Sequence, residues 1–136
     1  IGIKYSDLMD GLTVGFGRMD DSDTAENDTM GVTYTMGSMT AGYQITKVDY
    51  EAKATADQDA THLGISLAVN ENFSVSAGRQ SIEIDNTTED EVNSGISASY
   101  TMGSITIAGG LNSVDSAGGS AGSDAEAAML NLAFAF

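Results

Sequence analysis

From one end to the other the chain repeats one pattern: a large apolar side chain at every second position, with a small or polar one between. Ile1, Ile3 and Tyr5 make the first set, Leu12, Val14 and Phe16 the second, and Met30, Val32, Tyr34 and Met36 the third. Met39, Ala41, Tyr43 and Ile45 follow, then sets over 63–69, 73–77, 92–102, 105–111 and 128–136. A period of two places successive side chains on opposite faces of a strand, whereas a helix needs apolar residues three and four apart. About nine antiparallel strands are expected, each with one apolar face.

The opposite face is small rather than merely polar. Gly31, Thr33 and Thr35, or Gly64, Ser66 and Ala68, or Asn93, Gly95, Ser97 and Ser99, carry nothing large enough to fill the interior between two packed sheets. A transmembrane barrel needs no such filling, because its apolar face meets lipid and its other face lines a polar lumen. A soluble β protein is the alternative with the same period. No run approaches the roughly 18 consecutive apolar residues of a membrane-crossing helix.

Connections alternate short and long. The short ones fall at 7–11, 36–38, 70–72 and 102–104, the long ones at 20–28, 51–60, 86–91 and 116–127. Tight turns at one rim and longer loops at the other are the habit of outer-membrane barrels. All the acids except Asp7, Asp10 and Glu71 lie in or beside the long connections, so charge is sorted to one end. Tyr5, Tyr34, Phe73, Tyr100 and Phe136 stand on the apolar side at the short-turn ends of strands, where an interfacial girdle of amphipathic rings is expected. The stretch YTMGS occurs twice, at 34–38 and 100–104, as one hairpin solution used again.

Five basic residues stand against twenty acids, a net charge of −15, which argues against nucleic acid as a partner. There is no cysteine, hence neither a disulfide nor a thiolate metal site.

On its nine alternating strands, its acidic long loops and its terminal LNLAFAF, the chain resembles the C-terminal part of a Gram-negative outer-membrane porin of the alphaproteobacterial general-diffusion type. The resemblance implies an all-β transmembrane barrel, with residues 1–136 supplying about nine strands of a sixteen-stranded wall, in a homotrimer. Both the first and the last strand read as running towards the short-turn side, which is why an upstream part is expected. It also implies that Leu130, Leu132, Phe134 and Phe136 form the signal read by the outer-membrane assembly machinery. Membrane lipid and lipopolysaccharide are the expected surroundings.

Arg18, Lys47 and Arg79 occur on successive upward strands, six to eight residues past each short turn. At a strand tilt near 40° this is roughly 15 to 20 Å up. Strict alternation would point all three at lipid. The apolar phase shifts after each, to Met19, to Val48 and Tyr50, and to Ile82 and Ile84, so bulges near Gly17, Thr46 and Gly78 are expected to turn the basic side chains inward. Together with Lys4 they would form a lumen-facing basic ladder opposing the acids of an upstream constriction loop. The alternative is a set of rim charges that touch lipopolysaccharide phosphates.

Enzyme chemistry is not expected. His62 is the one histidine, and spacing ties no serine and carboxylate to it. Asp21, Asp23 and Glu26 in the stretch DDSDTAEND are candidate weak Ca²⁺ ligands, although the glycine of an EF-hand loop is missing. No other cofactor is expected. The function these readings point to is a water-filled channel for passive diffusion of small hydrophilic solutes and ions; the alternative is a self-contained small barrel with a structural or adhesion role.

Overall fold

In the computed structural model, residues 1–6, 9–21, 24–51 and 56–135 are described, apart from the side chain of Asp21. Their strands are β1 (Gly2–Tyr5), β2 (Leu12–Asp21), β3 (Ala25–Met36), β4 (Met39–Tyr50), β5 (Gln58–Ala68), β6 (Phe73–Ile84), β7 (Glu91–Met102), β8 (Ile105–Asp115) and β9 (Ala125–Phe134). They form one antiparallel sheet whose spatial order is the sequence order, with β1 and β9 at its two edges. The sheet is therefore an open, partial barrel wall, and among the described residues a single 3-10 turn at Ala117–Gly119 is the only helical element.

The tight turns follow from local chemistry. Gly37 and Gly103 take φ of 59° and 60° at the first central position of two-residue hairpins, where a positive φ matches the twist of the flanking strands. At the third, Asn70 Oδ1 accepts hydrogen bonds from the amides of Asn72 and Phe73, both at 2.9 Å, and folds the chain back between β5 and β6.

The other rim differs from expectation at one place. The acidic stretch 20–28, read as a long loop, is mostly strand: β2 runs to Asp21 and β3 begins at Ala25. Cross-strand pairing explains this, because Arg18 stands opposite Asp28 and Met19 opposite Asn27, so the acids continue a ladder. The remaining connections at this rim, 51–57, 85–90 and 116–124, lie within a few residues of the expected ones.

No pairing skips a residue, so the face of each side chain is fixed along the whole length of the sheet. One row of cross-strand partners runs Tyr5, Val14, Val32, Tyr43, Leu63, Arg79, Ser94, Ser113, Glu126. It starts at the last residue of β1, on the tight-turn side, and leaves at the second residue of β9, beside a long connection. The strands are thus progressively staggered in one direction, which is the shear a closing barrel requires.

Among the described residues no hydrophobic side chain is buried; Leu130 is 80% exposed, Ile96 59%, Leu63 58% and Leu111 57%. A continuous apolar face of this size is untenable in water and ordinary in hydrocarbon. The sheet has no core because its apolar face is made for a lipid solvent.

Candidate functional site

The small-residue face is organised in rows that only the register reveals. Gly42, Gly64, Gly78 and Gly95 are successive partners across β4 to β7. Directly above them, towards the long connections, Gln44, His62, Gln80 and Asn93 form a second row. Both rows line a hollow of about 980 Å³. Hydroxyl pairs knit the same face across strands: Ser76 with Ser97 at 2.7 Å, Thr101 with Thr106 at 3.0 Å, Thr35 with Thr40 at 3.1 Å and Thr29 with Thr46 at 3.2 Å. A wall of this kind offers hydrogen bonds to water and to polar solutes, and takes up little of the space in front of it. Strand-by-strand reading finds the small residues but misses the amide and imidazole row, since nothing in the sequence aligns Gln44 with Gln80 before the strands are paired.

His62 stands between Gln44 and Gln80 in this row, so no serine or carboxylate is its direct cross-strand partner.

The basic residues require a correction. The bulges expected near Gly17, Thr46 and Gly78 do not occur: Gly17 pairs with Thr29, Thr46 with Ala60 and Gly78 with Gly64, each in unbroken register. Arg18, Lys47 and Arg79 consequently share the apolar face, and only Lys4, opposite Gly15, lies on the small-residue face. What changes near the long connections is the chemistry of the faces. Met19, Val48, Tyr50, Ile82 and Ile84 place apolar groups on the small-residue side there, as an inner collar at the rim.

On the outer side, Arg18 pairs with Glu26, and its Nη1 lies 3.7 Å from Asp28 Oδ2; Lys47 Nζ lies 2.7 Å from Asp59 Oδ2. These side chains are exposed or nearly so, and such pairs contribute about 0 to 1 kcal/mol each in water. Their effect is to keep two cations compensated where the outer face leaves its apolar band. Among the described residues Arg79 has no ion-pair partner.

Tyr5, Tyr34, Phe73 and Tyr100 all lie on the apolar face near tight turns, with Phe73 directly opposite Tyr100. Leu130, Leu132 and Phe134 lie on the same face of β9, opposite Gly109, Ile107 and Ile105. Phe136 is outside the described residues, as are Asp23 and the side chain of Asp21. Of the candidate calcium ligands this leaves Glu26, whose carboxylate is held by Arg18. Among the described residues no three acidic or histidine side chains gather as a metal site.

The connection 116–124 is tied to the start of β7 at the mouth. The Glu91 carboxylate accepts hydrogen bonds from the Gly118 amide and Asn93 Nδ2, both at 2.7 Å. Asp124 Oδ1 accepts from the Ser116 amide at 3.0 Å, which folds the connection 116–124 on itself.

The family model described as Gram-negative porin matches residues 1–136. The chain belongs to that family. A solved structure of porin refined at 1.8 Å has the same fold: it superposes with a TM-score of 0.76 at 19% identity over 96% of this chain. The alignment takes in 48% of that structure, so the chain spans about half the length of the porin it matches. No curated protein matches the chain. The exposed apolar band of this porin is thereby assigned to the bacterial outer membrane, which its strands cross.

Proposed function

We propose that the chain forms the C-terminal part of a sixteen-stranded porin wall and that the whole protein is a water-filled channel for passive diffusion of small hydrophilic solutes. The observation that carries this reading is the row Gly42, Gly64, Gly78, Gly95 beneath the row Gln44, His62, Gln80, Asn93, both lining one hollow. Glycine leaves the passage open, and the amides and imidazole replace part of a solute's hydration without the deep binding that would stall it.

A wall with few charges gives little selectivity of its own. The carboxylates at the mouth, among them Asp85, Glu89, Asp90 and Asp124, favour cations mildly by raising their local concentration. The reading involves no bond-making step. Assembly as a trimer, contact with lipopolysaccharide and recognition of the C-terminal strand by assembly machinery belong to the same proposal. A self-contained small barrel fits less well, because inward side chains this small cannot fill a closed interior.

The test is single-channel conductance of the full-length protein in planar bilayers. Gly64→Phe and Gly78→Phe should each lower conductance while the folded, heat-resistant species persists. Conductance equal to that of the parent in both variants, or none in the parent, would overturn the reading.

A further inference from the structure

The connection 116–124 joins β8 to β9, and β8 separates β9 from β7 in the sheet. It nevertheless turns back across β8: the Gly118 amide donates to Glu91 Oε2 at 2.7 Å, and the turn Ala117–Gly119 packs against β7 and β6. Glu91 stands opposite Ile82 and two residues before Asn93, which places it on the small-residue face. A backbone that reaches this carboxylate lies on the lumen side of the rim. It rests there on the connection 85–90, where Thr87 Oγ1 donates to the carbonyls of Ile84 and Glu89, and Gly119 meets the Thr87 side chain so closely that a Cβ would not fit.

The segment closes on itself before it meets the wall. The Ala117 amide donates to the Ser123 carbonyl at 2.8 Å, and Asp124 Oδ1 accepts from the Ser116 amide at 3.0 Å. Its hydrogen bonds to the wall, among the described residues, are of one kind: Gly118 to Glu91 and Ser116 Oγ to Glu89, each ending on a carboxylate. No Lys, Arg or His follows Arg79 in the sequence, and among the described residues neither Glu89 nor Glu91 forms an ion pair.

We propose that Glu91, with Glu89, is a positioning residue that holds the connection 116–124 as a flap over the lumen side of the mouth, limits the size of solute that enters there, and releases the flap on protonation. The limit on solutes rests on the channel reading above; the flap itself does not. Hydrogen bonds to a charged acceptor are roughly twice as strong as neutral ones, so protonation weakens the Gly118 and Asn93 bonds together. The Gly118 amide first, and Asn93 second, hold Glu91 below the usual carboxylate range. The attachment is therefore complete above the ordinary value and is lost as pH falls through the lowered one. The other titratable groups around Glu91 are acids. Asp85, Glu89, Asp90 and Asp124 belong to the connections, while Glu83 and Asp115 lie on the opposite face. Acid also relieves their mutual repulsion, but repulsion between solvated charges is screened over about 10 Å, whereas the flap is held by direct contacts.

The test uses the full-length porin carrying Asn112→Cys, on the small-residue face of β8 just below the flap. Labelling of that cysteine by a polymer-linked maleimide at neutral pH is read by peptide mass spectrometry. Glu91→Ala should speed it about tenfold, the scale of one charge-assisted hydrogen bond. Gly119→Ala, which displaces the flap without touching a carboxylate, should speed it too. Thr106→Cys, on the same face at the tight-turn end of β8, should be labelled at one rate in every background. In planar bilayers, the neutral polymer excluded from the mouth should be larger at about pH 3, below the ordinary carboxylate value, than at neutral pH. Glu91→Gln, which does not titrate, should abolish that difference. Equal labelling in the parent, Glu91→Ala and Gly119→Ala would overturn the proposal. So would a conducting parent whose polymer exclusion ignores pH, or an acid shift that survives in Glu91→Gln. Because labelling needs no current, a porin that shows the labelling difference but does not conduct would leave the flap in place and refute the channel reading alone.

Discussion

Ser116 Oγ donates a 2.6 Å hydrogen bond to Glu89 Oε2, joining two successive connections at the rim across 27 residues of sequence. Ser116 is 6% exposed and takes φ of 53°, so the chain accepts a left-handed backbone in order to place that hydroxyl. Ser116→Ala should cost about 1 kcal/mol of local stability, a modest value for a bond to a charged but exposed group. Amide exchange over 116–124 should then accelerate about fivefold while exchange in β7 and β8 stays unchanged.

Gly119 supplies the closest approach in the same interlock. It has φ of 72°, and a Cβ there would sit 2.5 Å from the Thr87 Cβ; at Gly118, with φ of 66°, nothing lies within 4 Å. Both Gly→Ala changes carry left-handed strain of about 1 to 2 kcal/mol, and only Gly119→Ala adds a clash. A double-mutant cycle should find Thr87→Gly rescuing Gly119→Ala by restoring the protease resistance of the connection. The same change should do nothing for Gly118→Ala.

The register separates charges that conduction feels from charges it does not. Lys4→Glu and His62→Glu change the small-residue face and should move the reversal potential in a salt gradient towards cations. Arg18→Gln and Lys47→Gln change the outer face and should leave it where it is. A shift from the second pair equal to that from the first would mean that the faces are assigned the wrong way round.

Gly37 and Gly103 open their two hairpins, and a Cβ added at either would meet nothing within 4 Å, so only backbone strain opposes substitution. Gly37→Ala and Gly103→Ala should each destabilise the refolded barrel by about 1 to 2 kcal/mol. Asn at either position should cost less, because Asn tolerates positive φ. Midpoints of urea unfolding in detergent would measure both.

The strand count, the strand order along the chain and the apolar face were readable in the sequence because they rest on a period of two, which the low bulk of the inner face makes conspicuous. Reading failed where that contrast ends. Beyond the apolar band both faces meet water or folded-over connections, so Met19, Val48 and Ile82 could be apolar while facing inward. Their phase change looked like a bulge and was a change of surroundings. The stretch 20–28 misled in a related way: its acids suggested a solvated loop, yet Glu26 and Asp28 stand within reach of Arg18 on the next strand. The row Gln44, His62, Gln80, Asn93 was out of reach for another reason, since it belongs to four strands and exists only once their offsets are known.

The unbroken pairing of nine strands also bears on how such a chain can change length. With no bulge in any ladder there is no slack to absorb an extra residue within a strand. A single insertion in β6 just before Ala77 would either be extruded or turn the rest of that strand inside out, sending Ala77 towards water and Gln80 towards oil. Insertions of two preserve parity and merely raise the rim. Length is therefore free to drift at the connections, by any amount, and is quantised in pairs everywhere between them.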